Sequence, residues 1–535
     1  MRQHRIAKIV TLALACVLAA AWAPLRAQDL AADAELVETR TEVPKLKAAA
    51  AYQPKDNVVE VELSEYAGYA GLIAANNGTD PNEDSYFFKN HKIKLKITLS
   101  EEESWSALNS GRIGVSATTA DVLAVYGRQF EVVTPALIGF SRGADGVVVR
   151  ANIKRINDLA GKVVATCQFT ESDFFIRYLA QEAGLGINML PDLKAKPDPA
   201  KLNLVYCGDG FGAGDLFLRD VKAGRNRVAG CVTWAPKTTE VAQESAGKAI
   251  ILVTNRNLLI VADVLVVNKG FAQAHPEMVR GLVDGMLYGN NLVRGEPDKH
   301  LPLIAKAFKW EPEEAKAEVA KVHLANLPEN QAFFNGTIDS AGSFGFIYET
   351  AGYVYGRELL GKIADGDRFV DAAHLKAIAD GGKYKDQKAA IQPLKGGGKA
   401  ERGADEALLS KDIRFFFDPN SAKLTAANAE NTKGLGNITQ LLKVSPGSTI
   451  LLRGHADGSL LEKFRQEGGE AKVREARLTL KNLSKARCAE VKQMIQEKFS
   501  LDPARIEAQG VGADEPTGKG PDADRRVEVQ WFTVE

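Results

Sequence analysis

Two short strings near the C-terminus set an acid and a base on consecutive elements: Gly454-His455-Ala456-Asp457 and Leu483-Ser484-Lys485-Ala486-Arg487. The run Thr449 to Gly454 alternates and is β-branched enough to predict a strand, while Glu475 to Phe499 carries apolar residues near helical spacing. A carboxylate just past the strand and a guanidinium in the helix can then face one groove. Asp457 would hold an ammonium group and Arg487 would grip a carboxylate through two parallel hydrogen bonds, so the pair would select a ligand carrying both charges. A diamino acid in a peptide stem is such a ligand. The plainer alternative is an exposed ion pair, which contributes little to stability.

Around these strings stand Ile413-Arg414-Phe415-Phe416-Phe417, expected as an opening strand, then Asp418 to Leu424, the strand-like Ile506 to Gly512, and the ending Asp524-Arg525-Arg526-Val527-Glu528-Val529. In this order the segments resemble OmpA-like peptidoglycan-binding domains over about Ala407 to Glu535. The resemblance implies that Asp457 and Arg487 contact diaminopimelate of the peptidoglycan stem, with Arg525 beside them. Three departures bear on the pocket rim and leave the charge pair intact. Ala456 stands where Thr is usual, Leu480 where Asn is common, and the stretch Gly458 to Leu478 is longer than in the family. His455 is read as structural.

The chain has 535 residues, too many for one core and suited to lobes of about 100 to 200 residues each. Lys plus Arg and Asp plus Glu both number 68, so no net field attracts nucleic acid or an anionic membrane, and nucleic acid is not an expected partner. Arg2, Arg5 and Lys8 precede the apolar run Ile9 to Ala23, and the small Ala27 follows; this reads as a secretory signal over residues 1–27 and predicts a periplasmic protein. The apolar run is short of the roughly 20 residues a membrane anchor needs. Cys16 raises the alternative of an outer-membrane lipoprotein, although the apolar run continues past it. Cys167, Cys207, Cys231 and Cys488 are too few to frame the fold. One bridge among the first three is open, buried free thiols being the plainer reading, and their spacing fits no zinc pattern.

Residues 28–57 are Ala-, Glu- and Lys-rich without a sustained apolar period and are expected to form a leader or tether. From Val58 to about Ala379, strand-like runs (Val58 to Leu63, Ile93 to Ile97, Lys162 to Thr166, Leu202 to Tyr206, Ile250 to Val253) alternate with amphipathic helices, which predicts α/β lobes with mainly parallel sheets. The Gly- and Lys-rich stretch 380–406 is the expected flexible linker, and 407–535 the C-terminal domain.

Within the lobes, Tyr66-Ala67-Gly68-Tyr69 follows the first strand, Ser116-Ala117-Thr118-Thr119 starts a helix, and Thr170-Glu171-Ser172 heads another. Helix starts leave backbone N–H groups unpaired, so several converging on a cleft would make a polar ligand site that Tyr66, Tyr69 and Trp234 could wall. Simple helix capping is the competing role for the hydroxyls. Tyr66 to Gly78, Ser106 to Gly111, Ile156 to Val163, Ala229 to Pro236 and Ala262 to Val267 then resemble, in order, the periplasmic solute-binding proteins of ABC importers, nearest the nitrate, sulfonate, taurine and thiamine-precursor type. That resemblance implies a periplasmic-binding-protein type II clamp over 58–379 that closes on one small molecule. Its ligand residues would be matched by Tyr69, Thr118, Thr119, Thr170, Ser172 and Trp234, with Tyr66 and Ser116 alongside, and its partners would be ABC-importer membrane subunits. Glu171 conflicts with an anionic ligand; it is expected to point outward or to meet an amine.

Gly208 to Ala213 superficially satisfies a dinucleotide fingerprint, but no acidic residue closes a second strand at the required distance; close backbone packing or a ligand-side loop is the preferred reading. The seven His residues show no metal-ligand spacing, and no nucleophile and base can be paired. The expectation is therefore α/β: a two-lobed clamp followed by a small α/β domain with a mixed sheet, acting as a monomeric periplasmic receptor for a small solute and held to peptidoglycan, with no catalytic residue, metal or cofactor. An envelope scaffold or sensor without transport is the first alternative. An enzyme on the same clamp is the second.

Overall fold

The computed structural model describes residues 36–100, 104–336, 342–389, 391, 407–418, 421–499 and 501–533. The expected signal segment, Cys16 and most of the expected linker lie outside these residues. The architecture is α/β, with two six-stranded mixed sheets followed by a four-stranded mixed sheet.

In the first lobe Val59, Val61 and Leu63 are buried while Glu60 and Glu62 alternate with them, the period-two pattern of a half-covered strand. That strand, Val58–Leu63, lies parallel to Lys94–Leu99 on one side and to Val115–Thr119 on the other. Ala262–Asn268 then pairs antiparallel with both Val115–Thr119 and Val132–Ser141, and Val322–Leu324 closes the edge. The second lobe repeats this plan with Ile187–Met189, Leu202–Cys207, Val163–Cys167 and Gly230–Thr233 in parallel, then Gly146–Arg150 and Ala249–Thr254 antiparallel.

The chain crosses between lobes through two short connections, Ser141 to Gly146 and Thr254 to Ala262. Asn255, fully buried, laces them together. Its Oδ1 accepts from Ser141 Oγ (3.2 Å) and Gly143 N (2.9 Å), and its Nδ2 donates to Ser141 O and Asp145 Oδ2, both at 3.2 Å. One side chain of the second crossover thus satisfies donors and acceptors of the first and is itself fully paired, which a buried amide must be to avoid a desolvation cost.

The stretch expected as a free tether differs. Leu36 to Asn57 lies along both lobes as a strap: Val37 N bonds Tyr206 O, Gln168 pairs with both backbone groups of Arg40, Gln129 does the same for Pro44 O and Leu46 N, and Tyr52 is buried with its N–H on Asn268 Oδ1. Amide side chains reading extended backbone leave no hydrophobic period, which is why composition alone suggested a leader. The start of the expected linker is also fastened. Lys383 pairs with the buried Asp284 (2.6 Å), and Asn326 Nδ2 donates to Lys388 O.

In the C-terminal sheet the order is Leu409–Ile413, Val527–Phe532, Thr449–His455, Ile506–Gly512, with only the last pair parallel. Ile506–Gly512 is a strand as expected, but the opening strand, expected over Ile413 to Phe417, lies at Leu409–Ile413 and shares only Ile413 with that stretch. Asn431 explains the early exit: its side-chain amide takes both backbone groups of Phe416 at 2.8 Å, a one-residue substitute for a strand partner. The long stretch Gly458 to Leu478 is helical from Leu461 onward, as part of Leu461–Phe499, with a kink of non-helical backbone at Gly468 and Gly469.

This C-terminal domain docks on the clamp. Asn157 receives Ser410 N and donates to Ser410 O (both 2.8 Å), Ile156 N bonds Leu408 O, and Lys411 Nζ bonds Gln181 O. At the second crossover Leu259 N bonds Val444 O, and Asn257 receives Gly447 N and donates to Ser445 Oγ. Leu408 and Leu409 share one apolar cluster with Ile156 and Leu159.

Cys167, Cys207, Cys231 and Cys488 are all free and buried, and burial pushes the Cys207 and Cys488 thiols up to about 12. Among the described residues no helix is long and apolar enough to cross a membrane. Replacing Asn255 with Ala unties the second crossover from the first and orphans Ser141, Gly143 and Asp145 groups at once; chemical denaturation of the full chain is expected to show a loss of about 2–3 kcal/mol.

Candidate functional site

A narrow cleft opens where the lobes meet, lined by Tyr66, Tyr69, Ser116, Thr118, Thr119 and Trp234 of the expected set. Tyr66 and Tyr69 stand edge to face, with centroids 5.3 Å apart. The hydroxyls of Tyr66, Thr118 and Thr119 are buried without a protein partner, as is the indole N–H of Trp234. Thr119 occupies the N-cap position of the helix Ala120–Tyr126 but makes no capping bond, so its hydroxyl is not spent on the helix. Ser116 is spent, since its Oγ donates to Glu62 O at 2.8 Å.

Thr170 and Ser172 stand apart from the lining. Thr170 Oγ1 donates to Cys167 O (2.8 Å), closing the loop before the helix Glu171–Glu182, and Ser172 is fully buried beneath it. Glu171, between them, is the residue that reaches the cleft. Trp234 is held by close packing: a Cβ at Gly210 would fall 2.2 Å from its ring, which accounts for the glycine run once compared with a nucleotide fingerprint.

The sequence reading missed two lining carboxylates, Asp145 and Asp263. Each is an isolated acid beside or within an apolar strand, and that placement was the available signal. Tyr69 Oη donates to Asp263 Oδ1 at 3.2 Å. Burial, then the nearby Asp145, holds the Asp263 carboxyl well above the usual carboxylate range, and burial pushes Asp145 up to about 6. Asp121, in the first turn of the helix behind Thr119, is fully buried with both carboxylate oxygens unpartnered, and burial pushes it up to about 7.

The second site lies on the C-terminal domain. A Cβ at Gly454 would fall 2.4 Å from Ser484 O and 2.8 Å from Cys488 Sγ, so glycine lets the long helix lie directly on the Thr449–His455 strand and brings Arg487 to its edge. Arg487 shares a groove with Arg414, Arg525, Arg526 and Phe415 to Phe417. It lies 4.8 Å over the Phe417 ring and donates to Ser421 O at 3.3 Å. Burial, then Arg525, draws its guanidinium below the ordinary value.

The other groove arginines have carboxylates: Arg525 pairs with Asp457 (3.1 Å) and Asp522, Arg414 with Asp522 (3.7 Å), and Arg526 with Asp412 (3.1 Å). Among the described residues, Arg487 has no carboxylate within ion-pair distance. Asp457 lines an adjoining apolar hollow with Leu460, Leu461, Phe464 and Leu480 instead of the arginine groove itself. The acid and base expected in one groove therefore occupy neighbouring hollows joined by Arg525, and the long Gly458 to Leu478 stretch supplies the dividing wall. His455 pairs with Glu528 (3.3 Å), and although His455, Glu515 and Glu528 converge, Arg453 already bridges both glutamates.

Residues 83–300 match the family model described as NMT1/THI5 like, and residues 416–529 match the OmpA family model. The chain joins an NMT1/THI5-like domain to an OmpA domain. No curated protein matches the chain in sequence. Among solved structures it is similar to the alkanesulfonate-binding protein SsuA from Xanthomonas axonopodis pv. citri (13% identity, 60% of this chain and 99% of that one, TM-score 0.46). It is also similar to the periplasmic aliphatic sulphonate binding protein SsuA from Escherichia coli (16%, 61% and 100%, 0.44) and to the desulfurization enzyme DSZB (15%, 62% and 100%, 0.41).

The raised Asp121 carboxyl in the NMT1/THI5-like domain has a stability consequence of defined sign. A folded-state value above the unfolded one favours folding at low pH, and this contribution is lost as pH rises from about 4 through about 7. Asp121→Asn removes the titration, so its thermal stability relative to the parent is expected to improve from pH 4 to pH 8, by roughly 2–4 kcal/mol.

Proposed function

We propose that this chain is an exported receptor whose two-lobed clamp binds a small solute for an ABC importer, while its OmpA domain holds it non-covalently to peptidoglycan in the periplasm. The observation that carries the clamp reading is the convergence of buried, unpartnered Tyr66, Thr118 and Thr119 hydroxyls in the interlobe cleft. Buried polar groups without partners cost free energy, and a ligand supplying the missing hydrogen bonds recovers it only when the lobes close around it. Binding and lobe closure suffice for this role, and no reaction step is invoked.

The wall reading rests on Arg487. Three of the four groove arginines are neutralised within the protein, which leaves one half-buried guanidinium stacked on Phe417 to receive a ligand carboxylate. Asp457, held in place by Arg525 and by Ser459 N (2.8 Å), would receive the ammonium end of a diaminopimelate side branch. The adjoining apolar hollow would accommodate its methylene chain.

A sensor without transport is the second reading, and a specific contact favours it. Asn257 and Leu259, on the crossover that must bend when the lobes move, bond directly to the OmpA domain. Solute uptake by cells lacking the protein separates the two, because a sensor leaves import unchanged.

Asp457→Ala and Arg487→Ala are each expected to reduce pelleting of the full chain with purified peptidoglycan at least ten-fold, while thermal shifts produced by cleft ligands stay unchanged. Undiminished pelleting of both variants would reject the charge-pair mechanism.

A further inference from the structure

We infer that the interlobe cleft is built for a small organic cation, an ammonium or amidinium compound, and not for an anion. This rests on the receptor reading and specifies the chemistry of its ligand. Three carboxylates, Asp145, Glu171 and Asp263, line the cleft, and among the described lining residues none is Lys, Arg or His. Asp145 and Asp263 are both nearly inaccessible, so no bulk water screens them. Among the described lining residues, an oxyanion entering this space would meet three carboxyl groups and no guanidinium or ammonium.

The acids do not stand alone. Tyr66, Tyr69, Trp105 and Trp234 also line the cleft, and aromatic faces attract a desolvated cation through their quadrupoles. The unpartnered hydroxyls of Tyr66, Thr118 and Thr119 are more than nine-tenths buried and present oxygen lone pairs to the same space. Carboxylates, hydroxyl oxygens and ring faces together accept N–H or N–CH₃ groups, and the Trp234 indole N–H is the one unpartnered donor-only group among the described lining residues. Burial, and for Asp263 also the nearby Asp145, shifts both carboxyls above the usual range, so an arriving cation stabilises their charged forms and is bound in exchange for protons.

The test is to incubate the purified full chain with a deproteinised small-molecule cell extract, wash it, denature it, and identify what is released by mass spectrometry in both polarities. Asp263→Asn and Glu171→Gln are run in parallel. The second sits at the cleft mouth, so it reports binding even if Asp263→Asn folds poorly. The expected result is a positively charged organic compound whose recovery falls at least ten-fold in Asp263→Asn and measurably in Glu171→Gln. Release of a sulfonate, nitrate or other anion, or equal recovery of the cation from the variants, overturns the cation assignment and leaves the receptor reading standing. Release of nothing from the parent chain overturns the receptor reading and this inference with it.

Discussion

The buried amide of Asn255 ties the two interlobe crossovers together, and the cleft and the OmpA domain both meet at that lacing. Asp145, which accepts from Asn255, lines the cleft. Asn257 and Leu259, two and four residues further on, carry the bonds to the OmpA domain. Because one short connection serves as hinge, as cleft support and as docking strip, a shift at any of these places loads the same few buried hydrogen bonds. That shared segment connects the cleft lining to the OmpA domain through contiguous hydrogen bonds.

In the cleft, the decisive constraint is polar satisfaction. The protein spends Ser116 and Thr170 on its own backbone, which fixes the strand end and the loop before the helix, and leaves Tyr66, Thr118 and Thr119 unspent. Burial raises the proton affinity of Asp121, Asp145 and Asp263, and Asp145 adds to the shift at the other two, so the site stores unfavourable electrostatics. Such a site trades stability for selectivity.

The OmpA groove uses the opposite economy. Four arginines crowd one surface, and repulsion among them is removed by assigning acids to Arg414, Arg525 and Arg526 from neighbouring segments. What remains among the described residues is a single guanidinium, Arg487, stacked on the Phe417 ring and bonded to Ser421 O with no carboxylate in ion-pair distance. The strand that would have filled this place ends early because Asn431 captures Phe416, which turns Phe415 to Phe417 from sheet residues into the groove's wall.

Local pattern determined much of this in advance. Alternating runs such as Val58 to Leu63 and Ile506 to Gly512 declare their strands because burial on one face imposes a two-residue period, and the ordered strings around Asp457 and Arg487 marked the C-terminal domain. Six of the eight expected cleft residues line the cleft, since aromatic and hydroxyl residues at helix starts are legible one segment at a time. Asp145 and Asp263 were not legible as site residues, because their meaning depends on two strands from different lobes facing one space. The strap from Leu36 to Asn57 escaped for a related reason: it is held by the side chains of Gln129, Gln168 and Asn268, which lie far away in sequence. Separation of Asp457 from Arg487 by a helical wall was likewise decided in three dimensions. Sequence fixes periodicity and chemical type locally, whereas only the folded chain decides which charges share a low-dielectric space, and that sharing sets what the sites can bind.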